Sequence, residues 1–221
     1  AASALREIVV DDERKAAALA ANVRVRVVDA AELDKICDGG NHQGIAAEVI
    51  DFPYTSLAAI RGATSDLGRA CVLVLDQIQD PQNLGAILRT AAAFGVHGVL
   101  IGKDRSAQVT PAVIRASAGL AYRVPVARVT NTSRALEDLK DAGFWAVGAV
   151  MGDAQPPWAI DFDMKTALVM GAEGSGIRKL VAENCDLRVE IPMAQGVDSL
   201  NVSASAAVLL YEIARSARQN R

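Results

Sequence analysis

The chain has 221 residues, 51% of them hydrophobic, and a formal net charge of −3 at neutral pH. That length and apolar content are enough to pack one large domain or two smaller ones, and the charge argues against a strongly basic nucleic-acid binder. No run approaches the roughly 18 apolar residues of a membrane-crossing helix, and the opening AASALREIVVDDERK lacks the order of a signal peptide, so a soluble, cytoplasmic protein is expected.

The chain begins as a small α/β unit. LREIVV and VRVRVVD read as strands around the charged, alanine-rich DDERKAAALAAN, which fits a helix ending near Asn22. DAAELDKICDGG follows as a helix with Asp29 as N-cap and Gly39-Gly40 as the stop, and GIAAEVI is a further strand. Residues 51–69 hold Pro53, Gly62 and Gly68 without a sustained period, which predicts a linker between a domain at 1–50 and one at 70–221.

From there strands alternate with helices. CVLVLD, GVLIG, YRVPVARV, FWAVGAV, TALVMG and RVEIP are mostly continuous apolar runs, the pattern of a sheet buried on both faces. NLGAILRTAAAFG, TPAVIRASAG, TSRALEDLKDAG, GIRKLVAENC and SASAAVLLYEIARSARQ are the helices between and after them. The expected fold class is α/β with a mainly parallel sheet, whose ligands lie off the carboxyl ends of the strands.

Three of those ends carry polar clusters. In DPQNLGAILRTAAAFG, Asn83 could cap the helix, Gly85 permits close backbone approach, and Arg89 interrupts an apolar face, where a guanidinium usually has a partner. In LVMGAEGSGIRKL a strand enters a glycine-rich turn, but Glu173 inside it would oppose a phosphate and there is no P-loop ending. In IPMAQGVDSLNVSASAAVLLYE, Ser199, Asn201 and Ser203 are more potential caps than one helix needs.

Charge is uneven along the chain. Residues 1–60 carry six Lys/Arg against ten Asp/Glu, while the remainder holds 17 basic and 16 acidic residues. A local basic face is therefore open to Arg89, Arg105, Arg115, Arg123, Arg128, Arg178 and Lys179. Cys37, Cys71 and Cys185 show no CxxC pairing, and His42 and His97 stand far apart without HExxH. Neither a disulfide framework nor a metal site is suggested, and the absence of GxSxG leaves a serine hydrolase unsupported.

At the three clusters the sequence resembles the SpoU (TrmH) family of RNA ribose 2′-O-methyltransferases, of the SPOUT superfamily. DPQNLGAILRTAAAFG is similar to its first motif, VMGAEGSGI to its second and IPMAQGVDSLNVSASAAVLLYE to its third, in order over residues 70–216. The upstream GNHQGIAAEV resembles the end of the small ribosomal-protein-like substrate-binding domain of ribosomal-RNA members, here shortened at its start. The resemblance implies a SPOUT-type parallel sheet with a deep C-terminal trefoil knot, a homodimer, and S-adenosyl-L-methionine as methyl donor. It further implies that Gly171, Ile191, Met193 and Leu200 bind the donor. Arg89 matches the arginine that acts on the 2′-hydroxyl, Asn83 and Glu173 would hold Arg89 or the ribose, and Ser199 and Asn201 would fix the loop and its ligands.

Free arginine is a poor base, so the role expected of Arg89 is to bind the adjacent phosphate and stabilise developing alkoxide charge. A guanosine of 23S rRNA is the expected target. A tRNA guanosine, a resistance-type rRNA adenosine, and a non-catalytic RNA-binding or ribosome-assembly factor are the alternatives. The last would be favoured by loss of the arginine or the third-motif polar residues, and all are present.

Overall fold

Two units, Ala1–Pro53 and Tyr54–Arg221, make up the chain, and this computed structural model describes residues 5–18 and 23–219. The first comprises β1 (Leu5–Val10), α1 (Glu13–Ala18), β2 (Arg24–Val27), α2 (Ala30–Ile36) and β3 (Ile45–Val49). Its sheet runs β2-β1-β3, with β2 parallel and β3 antiparallel to β1. Val9, Val10 and Leu33 form its buried centre. Asp29 caps α2, its carboxylate accepting from the Glu32 amide at 2.7 Å. The end of the first helix expected near Asn22 lies outside the described residues.

Glu7 on β1 receives the guanidiniums of both Arg24 and Arg26 at 3.2 Å. The two arginines of β2 are thus matched inside their own sheet. No helix among the described residues is long and apolar enough to cross a membrane.

The second unit opens with α3 (Leu57–Ala63), in the stretch whose proline and glycines predict a linker. That expectation is corrected. Ser56 supplies the N-cap, its hydroxyl accepting from the Ala59 amide at 3.1 Å, and the single buried residue, Ile60, anchors the helix. A Cβ on Gly98 would lie 2.7 Å from Ile60, so the glycine makes the room that Ile60 fills. With one buried side chain and Gly62 in its body, α3 has too little periodicity to read from sequence.

β4 (Ala70–Asp76), β5 (Gly98–Gly102), β6 (Val126–Val129), β7 (Trp145–Ala149), β8 (Lys165–Gly171) and β9 (Leu187–Val189) form one sheet in the order β6-β5-β4-β8-β7-β9. Every ladder in it is parallel. β4 is buried along its whole length, as its apolar run requires. The run YRVPVARV enters the sheet only from Val126, because Leu120–Arg123 forms a 3-10 turn ahead of Pro125.

Around the sheet lie α4 (Pro81–Ala93), α5 (Pro111–Ala116), α6 (Thr132–Lys140), α7 (Lys179–Glu183) and α8 (Val202–Gln219). Val202, Ala206, Leu209, Leu210 and Ile213 are the buried stripe of α8, at the spacing of one helix face. Phe94, at the end of α4, and Tyr211, midway along α8, meet edge-on with ring centres 6.1 Å apart. Gly85 is where α4 crosses α5: an added Cβ would stand 2.4 Å from the Ala116 Cβ and 2.8 Å from the Val113 carbonyl.

Gly85→Val should therefore overpack this crossing and destabilise the unit by about 2 kcal/mol. The shift in urea midpoint measures it, and a midpoint unchanged from wild type would contradict the packing described.

Candidate active site

The site is built from three chain segments that meet at the carboxyl ends of the strands. α4 starts at Pro81 with Asp80 as its N-cap, accepting from the Gln82 amide at 2.9 Å. Asn83 is therefore not the cap. It sits in the first turn, buried, and its side-chain amide donates to Glu173 Oε1 at 3.2 Å.

Glu173 is in the turn that follows β8. That turn closes on itself through paired bonds between Ala172 and Gly176, at 3.1 and 2.9 Å. A Cβ on Gly171 would lie 2.0 Å from the Gly176 carbonyl carbon, so only glycine lets the two ends of the turn pass. The requirement for glycine at position 171 thus comes first from the turn's own backbone.

The third segment, residues 190–201, runs without regular structure into α8. Asn201 is the junction. Its side-chain Oδ1 caps α8, accepting from the Ser203 amide at 2.9 Å and the Ala204 amide at 3.4 Å. Its side-chain Nδ2 donates to Asn83 Oδ1 at 2.9 Å and to Glu173 Oε1. The Val202 amide adds a further bond to the same Glu173 oxygen at 3.3 Å. One carboxylate oxygen thus holds the first, second and third sequence clusters together.

Beside this node, the turn after β8 and the segment before α8 enclose a cleft of about 1110 Å³. Gly171, Ile191, Met193 and Leu200 line it, as do Glu173, Ser199 and Asn201. Aliphatic walls beside open main chain suit an adenosine and a thioether chain, and the acid at position 173 disfavours a phosphate.

Arg89 is placed differently from the expectation. It is exposed on α4, lies outside the cleft lining, and forms no ion pair or hydrogen bond among the described residues. Six residues on from Asn83, it has turned away from the face that buries Asn83. Asn83 and Glu173 bind each other and Asn201 rather than Arg89.

Arg178, a candidate for the local basic face, is instead paired inside the protein. Asp76, fully buried at the end of β4, is gripped by Arg178 through Nε at 3.0 Å, Nη2 at 2.6 Å and the backbone amide at 2.9 Å. The carboxylate raises the Arg178 pKa above its ordinary value, and Nη2 also reaches Thr132 Oγ1 at 3.2 Å. The signal was an acid closing the apolar run CVLVLD, since a buried carboxylate requires a partner. Burial pushes the Cys71 thiol up to about 12 and Cys185 up to about 11, so neither is a nucleophile at neutral pH.

Residues 70–211 match the model of the SpoU rRNA Methylase family. The chain belongs to that family. Residues 5–55 of this SpoU chain match a second model, RNA 2′-O ribose methyltransferase substrate binding. It is 40% identical over 194 residues to a Bacillus subtilis protein assigned to the TrmH family of tRNA/rRNA methyltransferases, covering 87% of this chain and 78% of the relative. An uncharacterized tRNA/rRNA methyltransferase of Mycolicibacterium gilvum is 47% identical over 188 residues, and there the match spans 85% of this chain but 60% of the relative. Among solved structures, an AdoMet-bound rRNA methyltransferase from Sinorhizobium meliloti superposes with a TM-score of 0.79 at 26% identity, over 96% of this chain and 80% of that one.

Removing the guanidinium in Arg178→Ala would leave Asp76 charged and buried, at a cost on the order of 3 kcal/mol in urea unfolding. Arg178→Lys should recover only part of it, because an ammonium cannot reproduce the fork. Wild-type stability of the alanine variant would contradict the pairing.

Proposed function

We propose that this chain transfers a methyl group from S-adenosylmethionine to a ribose 2′-hydroxyl of RNA, with a guanosine of 23S rRNA as the target. The observation that carries the reading is the Glu173 node. It binds Asn83, Asn201 and the Val202 amide beside a cleft of adenosine-like chemistry. The match of residues 5–55 to a substrate-binding model for 2′-O ribose methyltransferases supports ribose and RNA as the substrate side. The AdoMet-bound rRNA methyltransferase that superposes on this chain supports the donor and the class of RNA.

In this reading Gly171, Ile191, Met193 and Leu200 hold the donor, which when bound supplies an electrophilic methyl group for the 2′-oxygen. Ser199 and Asn201 orient the loop around it. Arg89 binds the neighbouring phosphate and stabilises alkoxide charge as the hydroxyl proton passes to phosphate or water. An arginine stays protonated through this step, so it acts as a charge and not as a base.

A homodimer and a trefoil knot belong to the same proposal. Supporting the dimer, Val208 and Tyr211 stand 42% and 57% exposed on α8, and Arg89 stands apart from the node within one chain, as expected of a site completed between two copies. Supporting the knot, the turn after β8 and the segment after β9 line one cleft although β7 separates their strands. Of the seven candidate basic residues, Arg89, Arg105, Arg115 and Arg123 form no ion pair among the described residues, leaving their charge for phosphates.

Mass-spectrometric mapping of 2′-O-methylation in rRNA and tRNA, from cells with and without the gene, tests the reading. One methyl group should be missing from a 23S rRNA guanosine, and identical maps would contradict it. In a transfer assay Arg89→Ala should lose on the order of a hundredfold in rate, with donor affinity unchanged. A rate near wild type would remove Arg89 from the mechanism.

A further inference from the structure

Among the described residues, the carboxyl edge of the large sheet carries a further cleft besides the one beside the Glu173 node. The cleft already described lies over β8, β7 and β9, with Gly171, Ala149 and Val189 in its lining. The other, of about 420 Å³, lies over β4, β5 and β6 and is lined by Gln77, Asp104, Arg105, Ser106, Thr132 and Arg178 together with Gly102 and Thr130. No apolar side chain takes part in that lining. Between them lies the β4–β8 seam, where Asp76 and Gly171 are register partners, and the neighbouring residues Ile177 and Arg178 line one cleft each. Adjacent strands stand about 4.8 Å apart, so a chain passing along this edge spans both clefts.

The loop that forms the second cleft is held rigidly. Gln108 Nε2 donates to the carbonyls of Gly102 at 2.9 Å and Ser106 at 3.1 Å, the Lys103 amide bonds to Val129 at 2.8 Å, and the Ala107 amide bonds to Ile78 at 2.7 Å. Within that frame Arg105 and Gln77 hold positive φ angles of 54° and 64°, conformations that cost energy in residues other than glycine. Ser106 Oγ is buried with no hydrogen-bond partner. Asp104 and Arg105 form no ion pair or hydrogen bond through their side chains among the described residues, whereas the charge of Arg178 is matched by Asp76. A stiff polar loop, two strained residues facing one cleft and an unsatisfied hydroxyl are the features of a binding site rather than of a solvated turn.

We infer that this cleft receives a nucleotide next to the methylated one, an assignment that rests on the RNA methyltransferase reading. Arg105 supplies donors and a positive charge for the phosphate, and Asp104 supplies acceptors for base amino or imino groups. Gln77 and Thr132 can serve as either. A free inorganic anion fits poorly, because Asp104 shares the rim with Arg105. An unpaired nucleotide, which brings both a phosphate and base donors, matches both charges.

The test uses the full chain and total ribosomal RNA from cells lacking the gene. RNA binding and methyl transfer are measured over a range of salt, and S-adenosylmethionine affinity is measured separately by calorimetry. Arg105→Asn keeps a residue that tolerates the left-handed conformation, and Asp104→Asn keeps the shape of the rim. Arg105→Asn should weaken RNA binding on the order of tenfold and lower the salt slope by about 0.7, the loss of one single-strand phosphate contact. Asp104→Asn should weaken RNA binding several-fold with the salt slope retained, and donor affinity should be that of wild type in both.

RNA binding equal to wild type in both variants would overturn the inference. So would a parallel loss of donor affinity, which would show that the loop serves only to support the fold. Wild-type protein that binds RNA in an Arg105-dependent way but transfers no methyl would overturn the catalytic reading and leave this cleft standing as an RNA contact.

Discussion

A single carboxylate oxygen, Oε1 of Glu173, organises the functional end of this protein. It accepts from Asn83 on α4, Asn201 at the entry to α8, and the Val202 amide. These residues are 90, 28 and 29 positions away in the chain. A charged acceptor shared by three donors is stronger than the same bonds made to a neutral group, and it fixes angles as well as distances. Because Asn201 also caps α8, the position of the last helix and the shape of the adjoining cleft, the donor's place in the proposed reading, are set by one network.

The sheet beneath the node works by division of labour. On one side of the β4–β8 seam, the turn closed by Ala172 and Gly176 and the segment before α8 make a cleft with aliphatic walls. On the other, the loop after β5 makes a cleft with none. Asp76 and Arg178 stand at the seam, joining the end of β4 to the segment leaving the glycine turn. In the proposed reading the cleft with aliphatic walls takes the donor and the wholly polar one takes the nucleic acid, a division that suits a ligand held largely by burial beside one held by hydrogen bonds and charge.

Much of this was legible in the sequence, for identifiable reasons. Continuous runs such as CVLVLD and TALVMG can satisfy their burial only inside a two-sided parallel sheet, and they do so as β4 and β8. The surplus of polar residues before α8 pointed to more than capping, and Asn201 both caps and bridges. What stayed hidden depends on partners remote in sequence. Asp76 announced a need for a cation, but nothing local specified Arg178, 102 residues on. Gly171 read as room for a ligand, whereas its nearest neighbours are the backbone of its own turn. Arg89 read as a paired guanidinium, and helical rotation carries it away from Asn83 into solvent.

The central claim, that the Glu173 carboxylate assembles the donor cleft, is tested most directly by calorimetric titration of S-adenosylmethionine into wild-type protein and Glu173→Leu. Wild-type protein should bind the methyl donor, and the variant, which strips Asn83 Nδ2 and the Val202 amide of their Glu173 acceptor and leaves Asn201 only its bond to Asn83, should bind it at least about tenfold more weakly while retaining its sheet by circular dichroism. Equal affinity in the two proteins would contradict the account.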